Sequence, residues 1–165
     1  MHTKPQALSS NISIGIRATP SIVFYAIVEE MEDSYEIKIV DKLVVPVALL
    51  APEQLKFIRN TFLDILSEFK INLACIRVTE SAAQNPNAFR IGLEAVILEL
   101  FASSSIERYY AGQISNISSK LDINRDMFKL YVDNTKAYEE IDTWGEFKPE
   151  SREALLAAFS AFKLI

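Results

Sequence analysis

The sequence predicts an α/β fold: a mixed five-stranded sheet in which a three-strand antiparallel meander leads into alternating helices and parallel strands, with helices on both faces. Three observations point there. The first 45 residues hold three strand-like segments joined by turns too short for a crossover. Between residues 51 and 112 the apolar period switches between helical and extended spacing, as in βαβ units. The chain then closes on an alanine-rich amphipathic helix. Residues 11–165 are expected to form one domain behind a flexible tail, residues 1–10.

Taken in order, residues 12–17, "ISIGIR", form a short strand, and "ATPS" is the turn after it. Residues 22–29, "IVFYAIVE", are nearly all apolar, which predicts a strand buried on both faces. In residues 35–45, Tyr35, Ile37 and Ile39 alternate with Glu36 and Lys38, the pattern of a half-exposed edge strand. Pro52 suits the first turn of a helix, along which Leu55, Ile58, Phe62, Ile65, Leu66 and Phe69 recur at helical spacing. Residues 71–79 are a strand reached through that helical crossover, so it pairs parallel to the first with right-handed connection. Asn85 and Pro86 offer an N-cap and first position for a second helix. Residues 106–112 supply the fifth strand, and "SNISSKLDINRDMFKLYVDN" reads as a polar loop with one short helix. "TKAYEEIDTWGEFKPE" is acidic and irregular, with Trp144 either exposed for a partner or folded into a satellite core.

Composition narrows the function. With 17 basic and 22 acidic residues the chain carries a formal charge of −5 and a pI near 5.0. That disfavours nucleic-acid binding through bulk electrostatics, leaves room for a local basic patch, and favours a protein partner. The lone cysteine, Cys75, lies in an apolar run. It excludes an internal disulfide and suits a core position and a reducing, cytoplasmic compartment. No apolar run reaches the ~20 residues of a membrane span, and the polar start lacks a signal-peptide core. The one histidine, His2, sits in the tail, which leaves no basis for histidine triads or histidine zinc sites.

Three stretches carry a resemblance. "SIGIRATPSIVFYAIVEE" is similar to a hairpin whose first strand reads I-G-I-D. "CIRVTESAAQNPNAFRIGLEAVILEL" is similar to a strand ending in glutamate, then a loop and a helix containing glycine, here Gly92. "KPESREALLAAFSAF" is similar to a final helix with two acids three residues apart. In this order they resemble the ribonuclease-H-like fold of the RuvC-type Holliday junction resolvases, across most of residues 11–165. The resemblance implies phosphodiester hydrolysis by two Mg²⁺ or Mn²⁺ ions held by carboxylates. Carried over by position, Glu80 matches the strand-end glutamate, and Glu150 and Glu153 match the helix acids. The first-strand aspartate falls on Arg17.

That departure bears on activity. A guanidinium has five donors and no lone pair. Its charge about 5 Å from a dication costs roughly 6–7 kcal/mol at an effective dielectric of ~20. Arg17 is therefore read as a cation replacing metal and paired with Glu80 or Glu153, with a solvated surface arginine or a phosphate contact as alternatives. Glu80 could equally face solvent, and helix-start acids such as Glu150 and Glu153 are favoured by the helix dipole. Lys120, Arg125, Lys129, Tyr109 and Tyr110 are candidate nucleic-acid contacts, set against a solvated helix and a core tyrosine.

Three functions follow. The leading expectation is a catalytically degenerate domain without metal or cofactor, acting as a scaffold in a bacterial-type nucleic-acid-processing or defence assembly. The second is a working Mg²⁺- or Mn²⁺-dependent nuclease whose shifted site recruits Glu29 or Asp41. The third is a protein-interaction module with no nucleic-acid role.

Overall fold

The computed structural model describes residues 9–165. Of the expected tail, residues 1–8, His2 among them, lie outside the described residues. The Ser10 hydroxyl donates to Glu29 Oε1 at 2.5 Å, so the end of that segment is already tied to the sheet.

Five strands form one sheet: β1 (Ile12–Ala18), β2 (Ile22–Glu30), β3 (Tyr35–Val44), β4 (Leu73–Arg77) and β5 (Arg108–Gly112). Their spatial order is β3-β2-β1-β4-β5. β1–β2 and β2–β3 pair antiparallel, and β4 lies parallel between β1 and β5. This is the expected mixed sheet, with β1 at its centre and β3 at its edge. The Lys42 amide on that edge is capped by its neighbour's side chain, Asp41 Oδ1 at 2.8 Å, which blunts the strand against further pairing.

The helices are α1 (Ala51–Glu68), α2 (Ala88–Ser103), α3 (Ile114–Lys120), α4 (Arg125–Val132) and α5 (Pro149–Ala161). Strand alternation divides the apolar residues between two cores. Ile14, Ile16, Tyr25, Ile27, Ala74 and Ile76 face α1 and α2, against Ile58, Phe62, Leu93 and Ile97. On the other face Ala26, Val28, Leu73 and Cys75 meet α5, with Ile117 of α3 and Phe128 of α4 alongside. Helix α5 is buried from Ser151 to Ala161 apart from half-buried Glu153, because its alanines let it lie directly on the sheet. A Cβ on Gly15 would sit 1.9 Å from the Ala154 carbonyl oxygen and 2.3 Å from the Ala158 nitrogen. Glycine is required at this position by the approach of α5.

Two local expectations are corrected, and the alternatives left open for Trp144 are decided. Helix α2 begins at Ala88 and not behind Asn85: Asn87 is the N-cap, its side chain accepting from the Arg90 amide at 2.9 Å. The 113–132 region folds as two helices rather than one. Asn116 Oδ1 accepts the Gln113 amide at the start of α3, Asp122 takes a left-handed φ of 56° after its end, and Asn124 caps α4. Trp144 is fully buried, and its Nε1–H donates to the Tyr131 carbonyl at 2.8 Å, so it belongs to the second core and not to an exposed aromatic surface. Among the described residues no helix is long and apolar enough to cross a membrane.

Candidate functional site: an arginine–carboxylate cluster at the strand ends

β1 and β4 run side by side, and their last in-register pair is Arg17 with Arg77. By strand alternation both share the face of Gly15 and Cys75, the face covered by α5. Two guanidiniums thus emerge from adjacent strands toward one helix. That helix supplies Glu153, and Arg17 Nε donates to its Oε2 at 2.5 Å. Arg77 Nε lies 3.5 Å from the same oxygen. Arg17 Nη1 also donates to the Ala18 carbonyl at 2.5 Å, and Arg77 Nη1 to the Val78 carbonyl. One carboxylate therefore bridges two cations held in place by their own backbone.

Glu80 completes the other side of Arg77, with its Oε1 3.2 Å from Nη2. The same oxygen accepts the Ile114 amide at 2.9 Å, which anchors the loop after β4 to the start of α3. Behind the pair lies a third carboxylate, Glu94 on α2. Its Oε1 accepts from the Thr79 amide, the Thr79 hydroxyl and Arg90 Nε, each at 2.9 Å. Arg77 and Glu94 are each only 5 % exposed and the other members keep partial access to water, so the cluster is largely desolvated; ion pairs offset that cost, while Arg77 Nε and Arg90 Nη2 have no hydrogen-bond partner among the described residues. Burial pulls the Arg77 guanidinium below its ordinary range, Glu153 opposes that, and neighbouring Arg17 adds to it. Arg90 is lowered in the same way, by burial first and then by Arg17. Guanidiniums remain charged throughout the physiological range, so the cluster holds three cations against three carboxylates.

The structure brings Arg17 and Glu153 together, while Glu80 meets Arg77 instead of Arg17. β4 stops at Arg77, so the end of the fourth strand carries an arginine, and Glu80 lies three residues beyond it. The Glu150 side chain, one turn before Glu153, makes no hydrogen bond or ion pair among the described residues. Glu29 is at the far end of β2, paired with Lys38 at 3.0 Å, and Asp41 is on edge strand β3. Of the aromatic candidates, Tyr110 points inward to Ser160 Oγ at 2.5 Å, with Lys120 Nζ 4.9 Å from its ring centroid. Tyr109 is 40 % exposed and packs on Phe101, and Arg125 and Lys129 are exposed on α4. Arg77, Arg90 and Glu94 escaped the sequence reading. Arg77 carried a usable signal: like Arg17, it is a cation ending an apolar strand. Glu94 was visible as an acid on the apolar stripe of α2, four residues from Arg90.

This architecture is a ribonuclease-H-like fold, similar to that of solved RuvC and poxvirus resolvase structures. Among solved structures, Thermus thermophilus RuvC superposes with a TM-score of 0.69 at 14 % identity, covering 92 % of this chain and 93 % of that one. T. thermophilus RuvC in complex with a Holliday junction substrate gives 0.66 at 13 %, covering 93 % of each chain. Fowlpox virus resolvase in complex with substrate Holliday junction DNA gives 0.52 at 9 %, over 93 % of this chain and 99 % of that one. No protein-family profile matches the sequence, and no curated protein matches it significantly.

The strand ends do not fit a pair of divalent cations. Hard cations need oxygen lone pairs, and both strand-end positions present N–H donors. The one helix carboxylate that reaches them, Glu153, has an oxygen facing both arginines. Among the described residues no three His, Cys, Asp or Glu side chains converge so as to hold a metal ion.

Proposed function

We propose that this chain is a catalytically degenerate ribonuclease-H-like domain, a binding or scaffold component of a bacterial-type nucleic-acid-processing or defence assembly. The observation that carries this reading is the Arg17–Glu153–Arg77 bridge, which puts fixed positive charge where the resemblance implies the metal-bridging aspartate of the first strand and adds a second cation beside it. The cations neutralise Glu153 and Glu80 without any ion, so fold integrity is separated from metal binding. The junction complexes of the similar resolvases support a nucleic-acid setting. The net charge of −5 supports a protein as the direct partner, and the lone buried cysteine fits a reducing compartment such as the cytoplasm.

The test is a cleavage assay on a labelled four-way DNA junction and on single- and double-stranded DNA and RNA, with millimolar Mg²⁺ or Mn²⁺. No cleavage above the buffer control is expected. Metal-dependent cleavage that is lost in Glu153→Gln would establish a working nuclease with a rearranged site.

A further inference from the structure

The β2–β3 turn, the irregular segment before α5 and the end of α5 enclose an open groove of about 790 Å³. It lies at the opposite end of the sheet from the arginine cluster, about 20 Å away along β2 at ~3.4 Å per residue. Among the described residues its rim carries Glu30, Glu32, Asp33, Glu36 and Glu139, against a single cation, Lys163. Glu30 is held by Asn11 Nδ2 at 2.7 Å and Glu36 lies 3.7 Å from Lys38, while Glu32, Asp33 and Glu139 have no ion-pair partner among the described residues.

The wall is aromatic. Tyr35 is 47 % exposed, with its ring 5.7 Å from Phe159 edge-on and 4.9 Å from Phe162. Beside it Tyr138 is only 8 % exposed, fixed between Tyr131, Trp144 and Phe159. Its hydroxyl has no hydrogen-bond partner among the described residues. The charged and phenolic groups that act on it are Glu139, Tyr131 and Tyr35, of which Glu139 and Tyr35 line the groove. An unpartnered hydroxyl thus opens onto a cavity rimmed by unpaired carboxylates and faced by an exposed ring. The ring is nearly buried but the hydroxyl keeps access to water in the groove, where a ligand group can take the water's place. Carboxylates, a free hydroxyl acceptor and an aromatic face together recognise a side-chain cation.

We propose that this groove is a docking site for a basic segment of a partner protein, which inserts an arginine or lysine side chain against Tyr35 and Tyr138 and between Glu32, Asp33 and Glu139. The site is independent of the arginine cluster, so it stands or falls separately from the lack of nuclease activity. It gives an acidic domain a way to select basic protein segments while repelling the nucleic-acid backbone from this end of the molecule.

The test uses the full chain and a fluorescein-labelled eight-residue peptide of alternating arginine and serine, read by anisotropy at about 0.1 M salt, where long-range attraction is largely screened. A groove variant, Glu32→Gln with Asp33→Asn and Glu139→Gln, is compared with a distal variant of equal charge, Asp64→Asn with Glu68→Gln and Glu107→Gln. Thermal unfolding checks that both remain folded. The groove variant is expected to bind about tenfold more weakly than wild type and the distal variant to bind as wild type does. Tyr138→Phe, which keeps the ring packing, is expected to lose about threefold. Equal losses in the two charge variants, equal binding of a peptide with citrulline in place of arginine, or no binding by wild type would each overturn the proposal. So would a free polyamine binding as tightly as the peptide, since the ligand would then not be a protein segment.

Discussion

Replacing Glu153 by glutamine removes the charge that joins Arg17 to Arg77 and keeps the shape and one acceptor oxygen. Neighbouring strands lie about 4.8 Å apart, and two like charges about 5 Å apart repel by roughly 3 kcal/mol at an effective dielectric of ~20. In the native protein Glu153 Oε2, 2.5 Å from one Nε and 3.5 Å from the other, offsets that repulsion. Breaking a fully buried pair costs about 3–5 kcal/mol. Here the side chains of Arg17 and Glu153 are each 15 % exposed, and Arg77 keeps Glu80, so the loss is reduced to about 2–3 kcal/mol. For a domain of this size that lowers the unfolding midpoint by about 5–10 °C. The assay is thermal unfolding by circular dichroism, repeated with urea. Arg17→Met in the Glu153→Gln background should recover part of the loss, because it removes the uncompensated repulsion. A Glu153→Gln protein within about 0.5 kcal/mol of wild type would show two solvated guanidiniums and refute the reasoning.

Two further outcomes follow from the packing. Gly15→Ala should fail to fold or lose more than about 3 kcal/mol in a urea titration, since the new methyl group would overlap the backbone of α5; wild-type stability would mean that α5 stands off the sheet. Burial pushes the Cys75 thiol up to about 12, so native protein at pH 8 should not react with a thiol reagent until denaturant is added. The neutral thiol's contribution is complete below about pH 8.5 and is lost as pH rises from there toward about 12, because only the unfolded thiol ionises in that window. Wild type should therefore lose stability relative to Cys75→Ala over this range, and a constant difference between them would contradict it.

Much of the fold was legible because burial writes itself into side-chain alternation. β2 announced itself as doubly buried and β3 as an edge, and both are so. Local signals failed where two neighbours offered the same chemistry. Asn85 before Pro86 and Asn87 after it are both competent N-caps, and only the three-dimensional path of the loop selects Asn87. In the 113–132 region two capping asparagines and a left-handed aspartate divide what composition alone made one helix. The Arg17–Glu153 contact spans 136 positions, so no local pattern could reveal it; the resemblance placed both residues at one edge. The same resemblance matches Glu80 and passes over Arg77, because its strand-end motif is a carboxylate. The strand's true end, set by its register with Arg17, shows a second cation.

The central claim is that fixed guanidiniums occupy the place of metal ions, and Mn²⁺ binding to the wild-type chain tests it most directly. Isothermal titration, checked by the spin-resonance signal of free Mn²⁺, should show no binding at micromolar concentrations, since neither strand-end side chain offers a lone pair and the nearby carbonyls already accept from the arginines. Two ions bound at micromolar concentration, and released by Glu153→Ala, would contradict the account and place an active metal centre at this edge of the sheet.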